Sequence, residues 1–378
     1  MKQTAKIIST YTGDTSGVCS ALYELGGMVI MHDPSGCNST YSTHDEPRWY
    51  DIDSLIFISA LTEKDAIFGN DEKLISDAVN AATELNPRFI AVAGSPVPYM
   101  TGCDYNGIAL EIERRTGIPC FGFDTDGMRS YIIGASLAFS AYADIMCRDC
   151  KKTNYLSVNI LGMTPLDYSV CSGEKAIRTS FEERGISVNA VWSMGTHYED
   201  IENSAAAHVN VVVSSAGIEC AKVLQKKFGT PYVIGAPFGN KLTDEIAECI
   251  RKCEQSGKNI ICFETKSSSD TFIIGESLTS LSLARAIKLE TGIDTTVISA
   301  VETPKELACF CKCATDEDEI VPIINNAKCI IADPLYMPIC PDSARFIKLP
   351  HEAFSGRIYR SQMKNLISDT EEFIKENF

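Results

Sequence analysis

A repeat constrains this chain more than any other feature. The segment "VNILGMTPLDYSVCSGEKAIRTSFEERGISVNAV" resembles "TFIIGESLTSLSLARAIKLETGIDTTVISAV". Each passes through an apolar stretch, a glycine (Gly162, Gly275), a polar turn, a helical periodicity, Gly-Ile and a second apolar stretch. Those two glycines lie 113 positions apart, and "GIPCFGFD" from Gly117 recurs as "GTPYVIGAP" from Gly229 at a spacing of 112. A strand, helix, strand unit repeated at that period predicts an α/β fold with parallel sheets, since parallel neighbours need a crossover, usually helical. Over 378 residues the period predicts three consecutive Rossmann-like domains, at 1–150, 151–266 and 267–378. The first break follows "CRDCKKTN"; the second falls in the polar stretch "ETKSSSDT".

Strands are expected at "MVIMH", "SLIFIS", "FIAVAG" and "PCFGFD" in the first third of the chain, with equivalent runs in the other two. Helical periodicity covers 63–84, 104–116, 127–149, 172–184, 215–227, 241–256, 277–290 and 360–376. Alternation of this kind usually carries a nucleotide, but the signatures are missing. No G-x-x-x-x-G-K-[ST] and no G-x-G-x-x-G after a strand occurs, so the chain is expected to have no ATP or NAD site of its own. G-x-S-x-G and H-E-x-x-H are absent as well. The formal charge of -16 argues against nucleic acid or an anionic membrane as partner and suits docking to a basic face. The N-terminus has no signal-peptide apolar region, and the apolar stretch "YIIGASLAFSAYADIM" is too short and broken to span a bilayer. A cytoplasmic location is expected.

Five histidines make a histidine-rich metal site an unattractive reading, whereas there are sixteen cysteines. In a reducing compartment these are small buried hydrophobes, metal or cluster ligands, or a mixture. Three sit where an open α/β sheet presents ligands or near a helix start. Cys37 ends the turn "HDPSGC" at the carboxyl end of a strand, where Gly36 permits close approach of a bulky group and Pro34 stiffens the turn. Cys19 lies in the first turns of a helix that Asp14, Thr15 or Ser16 is placed to cap. Cys103 follows the strand "FIAVAG". Convergence of Cys19, Cys37 and Cys103 would suit iron–sulfur ligation; packing roles are the alternative for each. The pair Cys147 and Cys150 ("CRDC") carries little weight at this cysteine content. "CFCKC" (Cys309, Cys311, Cys313) has a spacing on one element that cannot easily aim three thiolates at one metal, and Cys249 and Cys253 read as core.

The stretch "HDPSGCNSTYSTHDEPRWYDIDSLIFISALTEKDAIFGNDEKL" resembles the nitrogenase component 1 pattern of a strand, "HGPxGC", an aromatic-rich helix and "T(E/S)-x-D-x-x-F-G-G-x-x-K-L". The matching residues are His32, Pro34, Gly36, Cys37, Thr62, Glu63, Asp65, Phe68, Gly69, Lys73 and Leu74. Residues around the repeat and "ARFIKLPHEAFSGRIYRSQMKNLI" also look like that family, which takes in nitrogenase subunits, a cofactor-assembly scaffold and dark-operative protochlorophyllide reductases. The resemblance implies a three-domain Rossmann-like protein that pairs as a homodimer or heterodimer. It implies an iron–sulfur cluster, expected as [4Fe–4S], held at the dimer interface by first-domain residues. On this chain those are Cys37 with Cys19 or Cys103, Asp14 being a further candidate. An ATPase iron protein would donate electrons for a small-molecule substrate in the crevice between the domains. The family's other first-domain ligand positions fall near Thr12-Gly13 and at Ser95-Pro96, and its large-cofactor anchor falls at Ser214, with His351 near the second anchor in sequence. Arg48, Trp49 and Tyr50 are read either as neighbours of the partner or cluster or as a solvated helix end. An assembly scaffold, or a small-molecule binding protein with structural cysteines, is the alternative function.

Overall fold

The computed structural model describes residues 5–36, 38, 41, 45–264 and 268–378. Cys37 lies outside them, as do residues 265–267 of the polar stretch expected to hold the second break. Three parallel sheets organise the chain. The first holds β1 (Met28–His32), β2 (Leu55–Ile58), β3 (Ile90–Gly94) and β4 (Cys120–Phe123) in the order β2-β1-β3-β4. Next come β5 (Ser157–Leu161), β6 (Ser187–Val191), β7 (Val209–Val212), β8 (Tyr232–Ile234) and β9 (Ile260–Ile261), ordered β6-β5-β7-β8-β9. The third holds β10 (Thr271–Gly275), β11 (Thr296–Ser299), β12 (Lys312–Cys313), β13 (Cys329–Ala332) and β14 (Arg345–Lys348), ordered β12-β11-β10-β13-β14.

All three sheets share a 2-1-3-4 kernel; the second adds β9 at one edge and the third adds β12 at the opposite edge. The strand order reverses beside β1, β5 and β10, and ligands of open α/β sheets bind in the crevice at that point. The central strands are apolar throughout because both faces are covered: β1, β3, β5 and β10 are buried along their whole length. In the first sheet Val29, Met31, Ala91 and Ala93 point into the large core, whereas Met28, Ile30, Ile90 and Val92 face a separate cluster formed with Leu74, Ile108 and Ile112.

The repeat has a local cause. Gly117, Gly229 and Gly292 each end a helix in the left-handed conformation (φ 71°, 71° and 77°), which a residue without Cβ adopts freely. One expected helix is two. Residues Glu63–Phe68 and Asp71–Leu85 are separated at Gly69, whose φ is 71°. At the C-terminus the α-helix is confined to Thr370–Asn377. The helix opened by Asp14 runs to Leu22 and crosses the helix Tyr131–Ile145 at backbone distance. A Cβ on Gly134 would lie 1.8 Å from the Asp14 carbonyl oxygen, and one on Gly17 2.1 Å from that of Tyr131.

Both chain ends tie sheets together. Backbone N–H groups of Tyr11 and Thr12 donate to the Ala353 carbonyl (3.1 and 3.0 Å), and the Asn365 side chain donates to the Cys171 carbonyl (3.1 Å). Among the described residues no helix is long and apolar enough to cross a membrane.

Candidate functional site

The turn His32–Gly36 leaves the first sheet where its strand order reverses. It is held from both neighbouring strands. Ser95 donates to the His32 carbonyl (2.8 Å), and the Ser59 hydroxyl pairs with His32 Nδ1 at 2.8 Å. Burial lowers the His32 pKa below its usual value and so favours the neutral ring. Among the described residues beyond its chain neighbours, none would lie within 4 Å of a Cβ placed on Gly36.

The described companions of Cys37 are distributed around this turn differently from the expected convergence. Cys19 is 0% exposed, packed in the large core, and burial beside Glu46 and Asp45 pushes its thiol far up. Cys103 packs on the opposite side of the first sheet, against the smaller cluster; burial raises it to about 12. It lines a groove of about 320 Å³ with His32, Ile67 and Phe68. Asp14 is wholly enclosed. Its Oδ1 accepts from the Gly127 N–H (2.7 Å), and its Oδ2 from the Asp126 N–H (3.2 Å) and Arg129 Nε (3.1 Å). Burial nevertheless raises its pKa to about 6. Thus Asp14 latches the loop after β4, and its oxygens are engaged.

Arg48 corrects the reading of the segment after the turn. It is neither a solvated helix end nor a contact for a partner: its side chain is 3% exposed. The guanidinium pairs with Glu46 (2.7 Å) and Glu24 (2.9 Å) and donates to the carbonyls of Ser20 and Ser193 (both 2.7 Å). Trp49 packs edge-on against Tyr41, and Tyr50 is exposed. Beyond it, the helix Glu63–Phe68 has no buried residue and is held by a Thr62–Asp65 capping box; Phe68 is 82% exposed.

The other cysteines are dispersed. Thiols of Cys147 and Cys150 donate to the carbonyls of Ile201 (3.3 Å) and Asn203 (3.5 Å), clipping the chain to the connection between β6 and β7. Cys311 is buried while Cys309 and Cys313 are exposed. Cys253 is core as expected; Cys249 is half-buried, and its hydrogen bond with Cys262 lowers it to about 7. Among the described residues no group of three His, Cys, Asp or Glu is arranged to hold a metal ion.

A second site lies between the second and third sheets, a narrow cleft of about 50 Å³. It opens at the reversal points of both sheets: Asp167 follows β5, while Glu276 follows β10 and Asp333 follows β13. Glu276 caps the helix Ser277–Thr291 through the N–H groups of Leu278 (3.0 Å) and Thr279 (2.8 Å). Asp333 accepts from the N–H groups of Leu335 and His351, both at 2.8 Å. Glu352 pairs with Arg360 (2.8 Å) and Ser169 (3.0 Å). Asp167, whose side chain is wholly buried, takes a hydrogen bond from the Tyr131 hydroxyl and stands 3.3 Å from His351 Nε2. Residues from all three sheets' territories therefore meet at Asp167. Ser214 is buried nearby in the chain after β7, its hydroxyl accepting from the Ala216 N–H (3.3 Å).

Sequence reasoning passed over Tyr131, Asp167, Glu276 and Glu352. The signal available was the repeat itself, since Asp167 and Glu276 both lie in the polar turns that follow its two glycines.

Comparison with known proteins bears on both sites. Residues 16–268 match the family described as nitrogenase component 1 type oxidoreductase. The nitrogenase molybdenum-iron protein alpha chain of Clostridium pasteurianum is 26% identical over 217 residues, 54% of this chain and 40% of that relative. The nitrogenase iron-molybdenum cofactor biosynthesis protein NifE of the same organism is 28% identical over 215 residues, 56% of this chain and 46% of the relative. A light-independent protochlorophyllide reductase chain of Prosthecochloris aestuarii is 27% identical over 221 residues, 56% and 40%. The matched region spans less than half the length of these relatives. A solved structure described as nitrogenase Cp1 at pH 6.5 superposes with a TM-score of 0.73 at 16% identity, covering 100% of this chain and 93% of that one, which establishes a common fold.

Proposed function

The chain belongs to the nitrogenase component 1 type oxidoreductases, and from that membership we propose that it is a nitrogenase-like reductase subunit. In this reading Cys37 is an iron–sulfur ligand presented from the first-sheet turn to a dimer partner. What supports it is the turn itself: it is held at the His32 carbonyl and ring at the point where such sheets bind ligands, and among the described residues beyond its chain neighbours nothing lies within 4 Å of a Cβ placed on Gly36. A bound cluster, expected as [4Fe–4S], would supply one-electron transfer at low potential. Cys19 and Asp14 fit poorly as its ligands, because one is sealed in the core and the other is engaged on both oxygens. Cys103, on the groove shared with His32, fits better. A single chain then offers too few thiolates, so a second copy or a sister subunit completes the set.

The electron donor in this reading is an ATPase iron protein, consistent with a chain that has no phosphate-binding loop. Its docking face is assigned to the helix Glu63–Phe68, whose Ile67 and Phe68 lie on the same groove as His32 and are solvent-exposed. The substrate occupies the cleft at Asp167. There this chain's residues bind and orient: Asp167 stands 3.3 Å from His351 Nε2, and Phe238, Leu283 and Phe354 exclude water.

The test is anaerobic purification, followed by iron and sulfide determination and EPR after dithionite reduction. Wild type is expected to carry a cluster, with Cys37→Ala losing it and Phe68→Ala keeping it while electron uptake from the iron protein falls on the order of tenfold. Protein purified this way without iron would sink the reading. An assembly scaffold is the second reading, favoured by the similarity to NifE. A cluster that moves to an apo-acceptor, with no turnover driven by an iron protein, would select it.

A further inference from the structure

We propose that Cys249 and Cys262 form an oxidant-sensitive dithiol, which a low-molecular-weight disulfide converts to an intramolecular disulfide tying the helix Asn240–Ser256 to the end of β9. This site stands apart from the turn at Cys37 and from the cleft at Asp167, and does not depend on the reductase reading.

The local chain path brings the pair together. The helix Asn240–Ser256 ends at Gly257 (φ 66°), and the chain turns directly into β9. Cys249 lies eight residues before that glycine and Cys262 five residues after it. Those are about 12 Å along a helix and about 16 Å along a strand, so the two return to a similar depth. β9 pairs in parallel with β8, which sets Cys262 beside Gly235. The Cys262 N–H donates to the Ile234 carbonyl (3.0 Å). A Cβ on Gly235 would lie 3.1 Å from Cys262 Cβ and 3.3 Å from Ile246 Cδ1, so Cys262 stands on the face of the sheet that this helix covers. Ile246, Cys249 and Cys253 follow one another at i, i+3 and i+7, along one side of the helix. Cys249 and Cys262 share a hydrogen bond, and both are half-buried, open enough for a small oxidant; Cys253 is wholly buried.

The hydrogen bond also separates the two roles. It favours the thiolate on Cys249, with burial, Glu245 and Glu248 opposing and Lys252 helping. The same bond, together with burial, keeps the proton on Cys262. A thiol that titrates near ambient pH is the better attacker. Cys249 Sγ attacks one sulfur of a disulfide R–S–S–R and expels RS⁻, leaving a mixed disulfide. Cys262 then releases its proton, its sulfur attacks Cys249 Sγ, and the second RS⁻ leaves. Two thiols lose two electrons and two protons in all, and one R–S–S–R becomes two RSH.

The test treats the full chain, reduced and anaerobic, with oxidised glutathione at pH 7, followed by intact mass and peptide mapping. The first disulfide is expected to link Cys249 with Cys262, to be reversed by dithiothreitol and to raise the urea midpoint. Cys253→Ser is expected to keep the link. Cys249→Ser and Cys262→Ser are expected to lose both the link and the midpoint shift. In the reduced protein, iodoacetamide is expected to label Cys249 at least about tenfold faster than Cys262. The wild-type mapping stands without the variants should one fold poorly, and no readout requires a cluster or an electron donor. A first link between other cysteines, a glutathione adduct that persists on Cys249, or a link that forms only in urea overturns the proposal.

Discussion

At Asp14, a single carboxyl group shows burial and hydrogen bonding pulling in opposite directions. Burial dominates and raises the group to about 6, against the N–H donors of Asp126 and Gly127 and the Arg129 charge. An unfolded aspartate titrates near 3.9. Between those values the native state keeps a proton that the unfolded chain has released, so this group's contribution to stability falls as pH rises from about 4 to about 6, then levels off. Asp14→Asn cannot titrate. The stability of that variant relative to wild type is expected to improve by up to roughly 3 kcal/mol between pH 4 and pH 7. Urea denaturation of both proteins at unit pH steps checks this; a constant difference across the range would be the wrong outcome. Asp14 itself was legible as a residue at a helix start, but its engagement with the 126–129 loop depends on a contact over a hundred positions along the chain.

The crossing of the helices Asp14–Leu22 and Tyr131–Ile145 sets a stricter condition. Backbone meets backbone there, so no side chain can give way when volume is added. Gly134→Ala is expected to cost on the order of 3 kcal/mol by overpacking. Gly185→Ala adds no contact and strains only a φ of 72°, and should cost about 1 kcal/mol. Equal losses in urea melts of the two variants would contradict the crossing. Helix periodicity located Tyr131–Ile145 within a few residues, while the partner helix was read only as a helix opening near Asp14, because nine short residues carry little pattern. The strand β12 was missed for the same reason, being two residues long.

At the scale of the molecule, Arg48 joins the first and second sheets. Its guanidinium reaches the carbonyl of Ser193, a buried residue at φ 87°, while neutralising Glu46 and Glu24. Arg48→Met would strand the wholly buried Glu46 carboxylate, at a cost of about 3–5 kcal/mol read from urea midpoints. A loss under 1 kcal/mol would mean that the junction is held elsewhere. The sequence by itself determined the parallel α/β class with its recurring strand, helix, strand unit, and the turn "HDPSGC" at a strand end, because apolar periodicity and glycine stops act over a dozen residues. Only the tertiary structure decided that Cys19 is sealed in one core while Cys103 faces another cluster, and that Asp167, Tyr131 and His351 meet. Those outcomes depend on which face of a sheet each side chain takes and on how three sheets abut. Contacts between residues 36 and 184 positions apart leave no periodic trace in the chain that makes them.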